Sequence, residues 1–379
     1  MLDEKQLIAK ACERAQAEDF GPESWQVGLE ALLRALTDEG NLNALGEAVY
    51  ADQIVGLLSS RLAIEKWYAD YPEIEKQEIV APLFGIGLPR TGSTAMSFLL
   101  ACDETRRSLR TWEASAPCPP PETSTEHTDP RIAVSRASID MSHQMFPDMM
   151  SLLPSSPTGP SECLLLMGLD FHSALFQGMA ILPSYSSWLL TCDMEPTYRY
   201  HKRVLKLLQW RCPPVRWSLK TPSHMTTIEG LNAVYPDARF VMTHRDISSV
   251  IPSVCALKEV LSTPLTDWFD CLALGRHEHM LWMESVRRLI EFRNDGREDR
   301  FVDASFTDMQ RDPIGCMENL YDQLGDDLTP GTRSRMAAWW EESAKDRPQG
   351  KRPDPAVYGL DMEAIRKDFA FYHDQFAIT

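Results

Sequence analysis

Apolar residues recur at helical spacing through the first 78 positions of the chain, and then the period changes. Leu29, Leu32, Leu33 and Leu36 form one stripe within WQVGLEALLRALTDEG, and LIAKACERAQ and VGLLSSRLAIEKWYADYP read the same way. From Pro82 onward short apolar runs take over: LFGIG (83–87), SLRTW (108–112), RWSLK (216–220), RFVMTH (239–244) and RFVDA (300–304). Amphipathic stretches such as HMTTIEGLNAVY, ISSVIPSVCALKEVL and DPIGCMENLYDQLG separate them. Strands alternating with helices predict an α/β fold, a parallel sheet covered on both faces. The domain reading is a helical N-terminal extension or cap over 1–78 and an α/β domain over 79–379. No internal repeat interrupts it.

Composition narrows the classes. Charged residues make up 25% of the chain and hydrophobic ones 44%, the balance of a globular protein. A net charge of −17 argues against nucleic acid as a partner, yet leaves room for a small anion where cations converge. Nine cysteines at irregular spacing, none in a C-x-x-C pair, fit neither a disulfide framework nor a zinc site and predict a reducing, cytoplasmic setting. Residues 163–182, CLLLMGLDFHSALFQGMAIL, approach the length of a membrane span but contain Asp170, His172 and Gln177, so they read as a buried helix.

The chemistry begins at GLPRTGST, residues 87–94. Gly87 and Gly92 have the spacing of a nucleotide-triphosphate loop, and the strand–loop–helix context is correct, but Ser93 stands where that loop needs lysine. Two glycines let backbone N–H groups curl around an anion, and the helix start adds its positive dipole end. Thr91, Ser93 and Thr94 add hydroxyls and Arg90 a fork of donors. No acidic residue clearly closes a strand to hold magnesium; Asp303 comes nearest. Arg245 directly follows RFVMTH, with Ser253 eight residues later on the next helix, and Lys351 and Arg352 form a third cationic element. Three separated anion sites suit a nucleotide phosphorylated at both ends of its ribose.

On these residues the chain resembles sulfotransferases that use 3′-phosphoadenosine 5′-phosphosulfate (PAPS), in a bacterial branch of that superfamily. Arg90, Thr91, Gly92, Ser93 and Thr94 match the family's 5′-phosphosulfate loop in order, and Arg245 with Ser253 matches its 3′-phosphate motif. WSLKTPSH and YPDARFVMTHRD also resemble the family's block between the two, and KRPDPAVYGLDMEAIRKDFAFY its C-terminal end. The resemblance implies a P-loop-like fold, PAPS as donor with 3′-phosphoadenosine 5′-phosphate (PAP) as product, no metal, and a small-molecule or lipophilic hydroxyl acceptor. It implies that Lys220 contacts the sulfonate together with Arg90. For the general base it points to Glu113, at the end of the second predicted strand, with His224 as the other candidate. Ala95 and Phe306 depart from the family pattern near the adenine.

Other residues have plainer readings. Glu162 favours a helix N-terminus through its charge. His277 and His279, two apart on a helix, point in different directions and are not a metal pair. Met141, Met145 and Met149 read as a core stripe ahead of an acceptor pocket. The alternatives to a sulfotransferase are a P-loop kinase or nucleotidase using ATP and magnesium, and a nucleotide-binding fold that serves as an interaction module. Oligomeric state is open, a homodimer included.

Overall fold

The computed structural model describes residues 2–145, 155–213, 216–345 and 353–378. Its centre is a five-stranded sheet of β1 (Leu83–Gly87), β2 (Arg106–Ser108), β3 (Arg216–Lys220), β4 (Arg239–His244) and β5 (Phe301–Ser305), in the order β2-β3-β1-β4-β5. Every pairing is parallel. Phe84, Ile86, Phe240, Val241 and Met242 are buried irrespective of which face they point to, as a sheet packed on both sides demands. β1 is central, flanked by β3 and β4, so the chain leaves it at the switch point where a crevice opens beyond the strands' carboxyl ends.

Three helices precede the sheet: α1 (Glu4–Ala15), α2 (Ser24–Glu39) and α3 (Ala44–Asp70). Asp3 caps α1 by accepting from Gln6 N–H, and Asn43 caps α3 by accepting from Gly46 N–H. The predicted leucine stripe of α2 is buried throughout and belongs to one apolar cluster with Phe84, Leu219 and Phe240 of the sheet. Arg61 of α3, fully buried, ties this layer down. Its guanidinium reaches the Phe20, Pro22 and Leu169 carbonyls and pairs with Asp170 at 3.0 Å, while stacking on Tyr200.

Three sequence expectations need revision. SLRTW is not a strand: β2 ends at Ser108, and a short helix over Thr111–Ser115 follows, its start held by Arg110 N–H donating to Glu113 Oε2 at 3.2 Å. The predicted buried helix over 163–182 is broken into a helical turn over Leu164–Gly168 and a 3-10 turn over Ala174–Gly178, with Phe171 between them at φ 56°. The polar residues Asp170 and His172 fall in the break, where their side chains engage partners outside a helix. Met141 and Met145 are 60% and 42% exposed, so they are not core. The helix Pro130–Met145 buries Ser135 and packs chiefly on the Thr111–Ser115 turn. Met149 lies outside the described residues.

Candidate active site

β1 delivers the chain to the loop 88–92 and into helix α4 (Ser93–Ala101). Gly87, at φ 124°, lies so close to β4 that a Cβ would sit 2.6 Å from the Thr243 carbonyl oxygen. Gly92, at φ 88°, is the N-cap of α4 and caps it with no side chain, leaving the first-turn N–H groups open to the crevice. Arg90 is also left-handed, at φ 64°, a conformation that costs a non-glycine residue free energy. Arg245 holds it there: its NH1 donates to the Arg90 carbonyl at 2.8 Å.

The hydroxyls of the loop divide. Thr91 is buried and donates to the Leu88 carbonyl at 2.6 Å while meeting Thr243 Oγ1 at 2.6 Å. Its side chain therefore shapes the loop from within, and what Thr91 can offer an anion is backbone N–H. Ser93 and Thr94 line the crevice.

A cation, Arg245, and a hydroxyl, Ser253, meet the loop from the end of β4 and the helix after it. Arg90 Nε donates to Ser253 Oγ at 3.0 Å, and the Arg245 guanidinium lies 4.1 Å from the Phe306 ring centroid. Burial and then the neighbouring Arg245 charge lower the Arg90 pKa. A dianion at this spot would relieve that repulsion. β3 brings the third cation: Lys220 Nζ is 3.3 Å from Thr94 Oγ1 and 2.5 Å from Glu162 Oε1. The other carboxylate oxygen of Glu162 accepts from Thr221 Oγ1 at 3.0 Å.

Glu162 arrives from far along the chain. Ser161 N–H bonds the Leu109 carbonyl and Cys163 N–H bonds the Lys220 carbonyl, so residues 161–163 are stitched to the strand ends and set Glu162 beside Lys220. From there a cavity of about 460 Å³ opens away from the loop. Arg90, Ser93, Thr94, Glu162 and Thr221 stand at one end, and its walls are mainly apolar, among them Leu164, Met167, Leu189, Val254, Leu257 and Trp282.

A sequence model described as "Sulfotransferase family" matches residues 82–330. The chain belongs to the sulfotransferase family. Two solved structures share the fold over nearly the whole length. The sulfotransferase STF9 from Mycobacterium avium is 30% identical, with a TM-score of 0.91, over 100% of this chain and 98% of that one. The sulfotransferase STF1 from Mycobacterium tuberculosis H37Rv is 29% identical, with a TM-score of 0.88, over 98% of this chain and 99% of that one. The curated relatives that match, the omega-hydroxy-beta-dihydromenaquinone-9 sulfotransferases Stf3 of Mycobacterium bovis and Mycobacterium tuberculosis, are 30% identical over 113 residues. That match spans only 28% of this chain and 28% of the relatives' own length.

In this sulfotransferase-family chain the two sequence candidates for the base are elsewhere. Glu113 is fully buried and clamped, with one oxygen 2.5 Å from Arg107 NH2 and 2.7 Å from Arg110 NH2, and the other receiving Arg110 N–H. It holds the Thr111–Ser115 turn together and does not line the cavity. His224 is also fully buried, its Nδ1 2.8 Å from Tyr198 OH and its ring edge-on to Phe84. Burial, and next the neighbouring His201, push its pKa well down, so it is a neutral core histidine. Asp303, the nearest candidate for magnesium, is taken by Arg293 at 2.7 Å and His244 Nε2 at 2.7 Å. Against burial, those bonds hold its carboxyl well below the usual range. Lys351 and Arg352 lie outside the described residues. Sequence reasoning passed over Glu162, whose local signal, an acid opening an apolar helix, has an ordinary explanation.

Proposed function

We propose that the chain transfers the sulfuryl group of PAPS to the hydroxyl of a lipophilic small molecule. The observation that carries this reading is Lys220 Nζ standing between Thr94 of the anion loop and Glu162 at the mouth of an apolar cavity. The names of the curated relatives, which specify a hydroxylated menaquinone acceptor, support a lipophilic alcohol.

The residues present fit the donor. The 88–94 loop with Arg90 would hold the 5′ end, and Arg245 with Ser253 the 3′-phosphate. When bound, PAPS supplies a sulfuryl group and a phosphate leaving group through a loose, in-line displacement. Glu162 takes the proton from the acceptor hydroxyl as that oxygen bonds to sulfur and the sulfur–oxygen bond to the 5′-phosphate breaks. Lys220 neutralises charge on the sulfonate oxygens, and the loop N–H groups and Arg90 that on the departing phosphate. Lys220 also holds the Glu162 carboxylate in place through their 2.5 Å contact. The cavity's apolar walls exclude water from the acceptor side.

Calorimetric titration tests the assignment. PAP binds, adenosine 5′-monophosphate binds more weakly, and Arg245→Ala or Ser253→Ala weakens PAP about 10- to 100-fold by removing a charge-assisted bond. Folded protein that ignores PAP, or that binds ATP with magnesium and shows no preference for a 3′-phosphate, overturns the proposal.

A further inference from the structure

The broken stretch 163–182 leaves a polar ring in the cavity wall with one nitrogen unused. His172 lies in the break, between the turns Leu164–Gly168 and Ala174–Gly178, and lines the cavity although it is only 5% exposed. The break is tied on both sides of this residue. Ser173 Oγ donates to the Leu164 carbonyl at 2.8 Å, and Tyr185 OH donates to the Phe171 carbonyl at 2.6 Å. Leu164 is itself a wall residue, two positions beyond Glu162, so these bonds fold His172 back against the cavity.

The imidazole is fixed in place and in tautomer. Its Nδ1 is 2.7 Å from the Asp170 carbonyl oxygen and 3.4 Å from Asp170 Oδ2. A carbonyl oxygen only accepts, so Nδ1 carries the proton. The ring packs on Trp188 with centroids 4.7 Å apart, and α2 closes in behind it, where a Cβ on Gly28 would sit 2.7 Å from Nδ1. Nε2, across the ring from the Asp170 bond, is left with a lone pair. It has no hydrogen-bond partner among the described residues, and it is not one of the atoms sealed inside the protein. Other polar groups of the wall are engaged: Lys258 with Glu278 at 2.6 Å, Gln177 Oε1 with Ser186, and Thr227 Oγ1 with Tyr198 OH at 2.7 Å. Gln53 Oε1, also in the wall, is a second hydrogen-bond acceptor without a partner.

A ligand with nothing to donate would cover the Nε2 lone pair and strip it of water without replacing the lost bond. We propose that the acceptor substrate carries a second hydroxyl, apart from the one that is sulfated, and that this hydroxyl donates to His172 Nε2. The substrate class is then a lipophilic diol, and His172 is a specificity residue that holds it. This inference rests on the reading of the cavity as the acceptor site of a sulfotransferase.

Binding, with no turnover required, tests it. Octane-1,8-diol, decane-1,10-diol and dodecane-1,12-diol are each titrated beside their monomethyl ethers, which keep both oxygens and lose one donor. The titrations are made with and without PAP at about pH 8.5, where an ordinary imidazole is uncharged. At the best-fitting length the diol binds about tenfold tighter than its ether, well beyond the twofold that two equivalent ends give by count. In His172→Phe and His172→Leu, two replacements of different shape that both remove Nε2, the ratio falls to about twofold or less. Circular dichroism reports the fold of each variant. Equal binding of diol and ether by the wild-type chain at every length, no detectable binding of any diol, or a diol preference that survives in a folded variant overturns the inference. Failure of the wild-type chain to bind PAP instead sinks the sulfotransferase reading, because the diol-to-ether ratios measured without PAP stand on their own.

Discussion

Glu162 and Glu113 are both carboxylates near the carboxyl edge of the sheet, and their surroundings are opposite in kind. Glu162 is partly open to the cavity and touches one cation and one hydroxyl. Glu113 is fully buried between two guanidinium groups and does not line the cavity. Glu162→Gln is expected to lower turnover with labelled PAPS by about 10²-fold or more while PAP still binds. Glu113→Gln is expected to cost about 3 kcal/mol in urea unfolding, since it leaves buried arginines without their counter-charge. Turnover per folded molecule then changes little. A stable Glu113→Gln protein with abolished turnover reverses the assignment. Local sequence could not rank the two, because burial and pairing depend on Arg107 and Lys220, and the partner that decides Glu162 is 58 positions away.

The strand–loop–helix element was legible from pattern alone: an apolar run, two spaced glycines and a helix start occur in one continuous stretch. What pattern could not supply is which feature each glycine serves. At Gly87 a new Cβ would strike the backbone of β4, which cannot yield without moving the sheet. At Gly92 it would meet the ends of the Met309 and Phe306 side chains, which can shift, leaving mainly the penalty of a left-handed conformation, about 1–3 kcal/mol. Gly87→Ala is thus expected to lower the melting temperature more than Gly92→Ala. Gly92→Ala is expected to lose PAP affinity in calorimetry out of proportion to its stability, because it turns the first-turn N–H groups. Equal stability losses in the two variants contradict this. The stretch 163–182 shows the reverse limit. Its composition is that of a buried helix, but Asp170 is drawn to Arg61, Ser24 and Thr197, and the chain bends to deliver it.

Across the whole molecule, burial of neutral histidines sets the response to acid. His201 is lowered to about 3 and His277 to about 4 by burial, and His224 falls well below its usual value for the same reason. Between these values and the unfolded value near 6.5, the unfolded chain binds protons that the folded chain refuses. The stability these groups contribute is present above about pH 6.5, is lost progressively as pH falls from there, and the loss levels off below the folded values. By pH 5 each withdraws about 2 kcal/mol, and scanning calorimetry should show the melting temperature roughly 5–10 °C lower than at pH 7. A flat profile across that interval means the rings are not buried neutral. The low Asp246 carboxyl, pulled down to about 2 against its burial by Arg366 and Ser248, adds its loss only at lower pH.

By itself the sequence determined the parallel α/β architecture, the strand–loop–helix element at 87–94 and the placing of Arg90 and Arg245 near it, while Lys220 followed from the family resemblance. Those features are local: apolar runs, glycine spacing and residues directly at strand ends follow from neighbours along the chain. Only the tertiary structure decided that Glu162 and not Glu113 stands beside Lys220 at the mouth of a mainly apolar cavity, and that His224 is core. Burial, pairing and cavity shape are sums over residues brought together from distant positions, and spacing along the chain does not encode those sums.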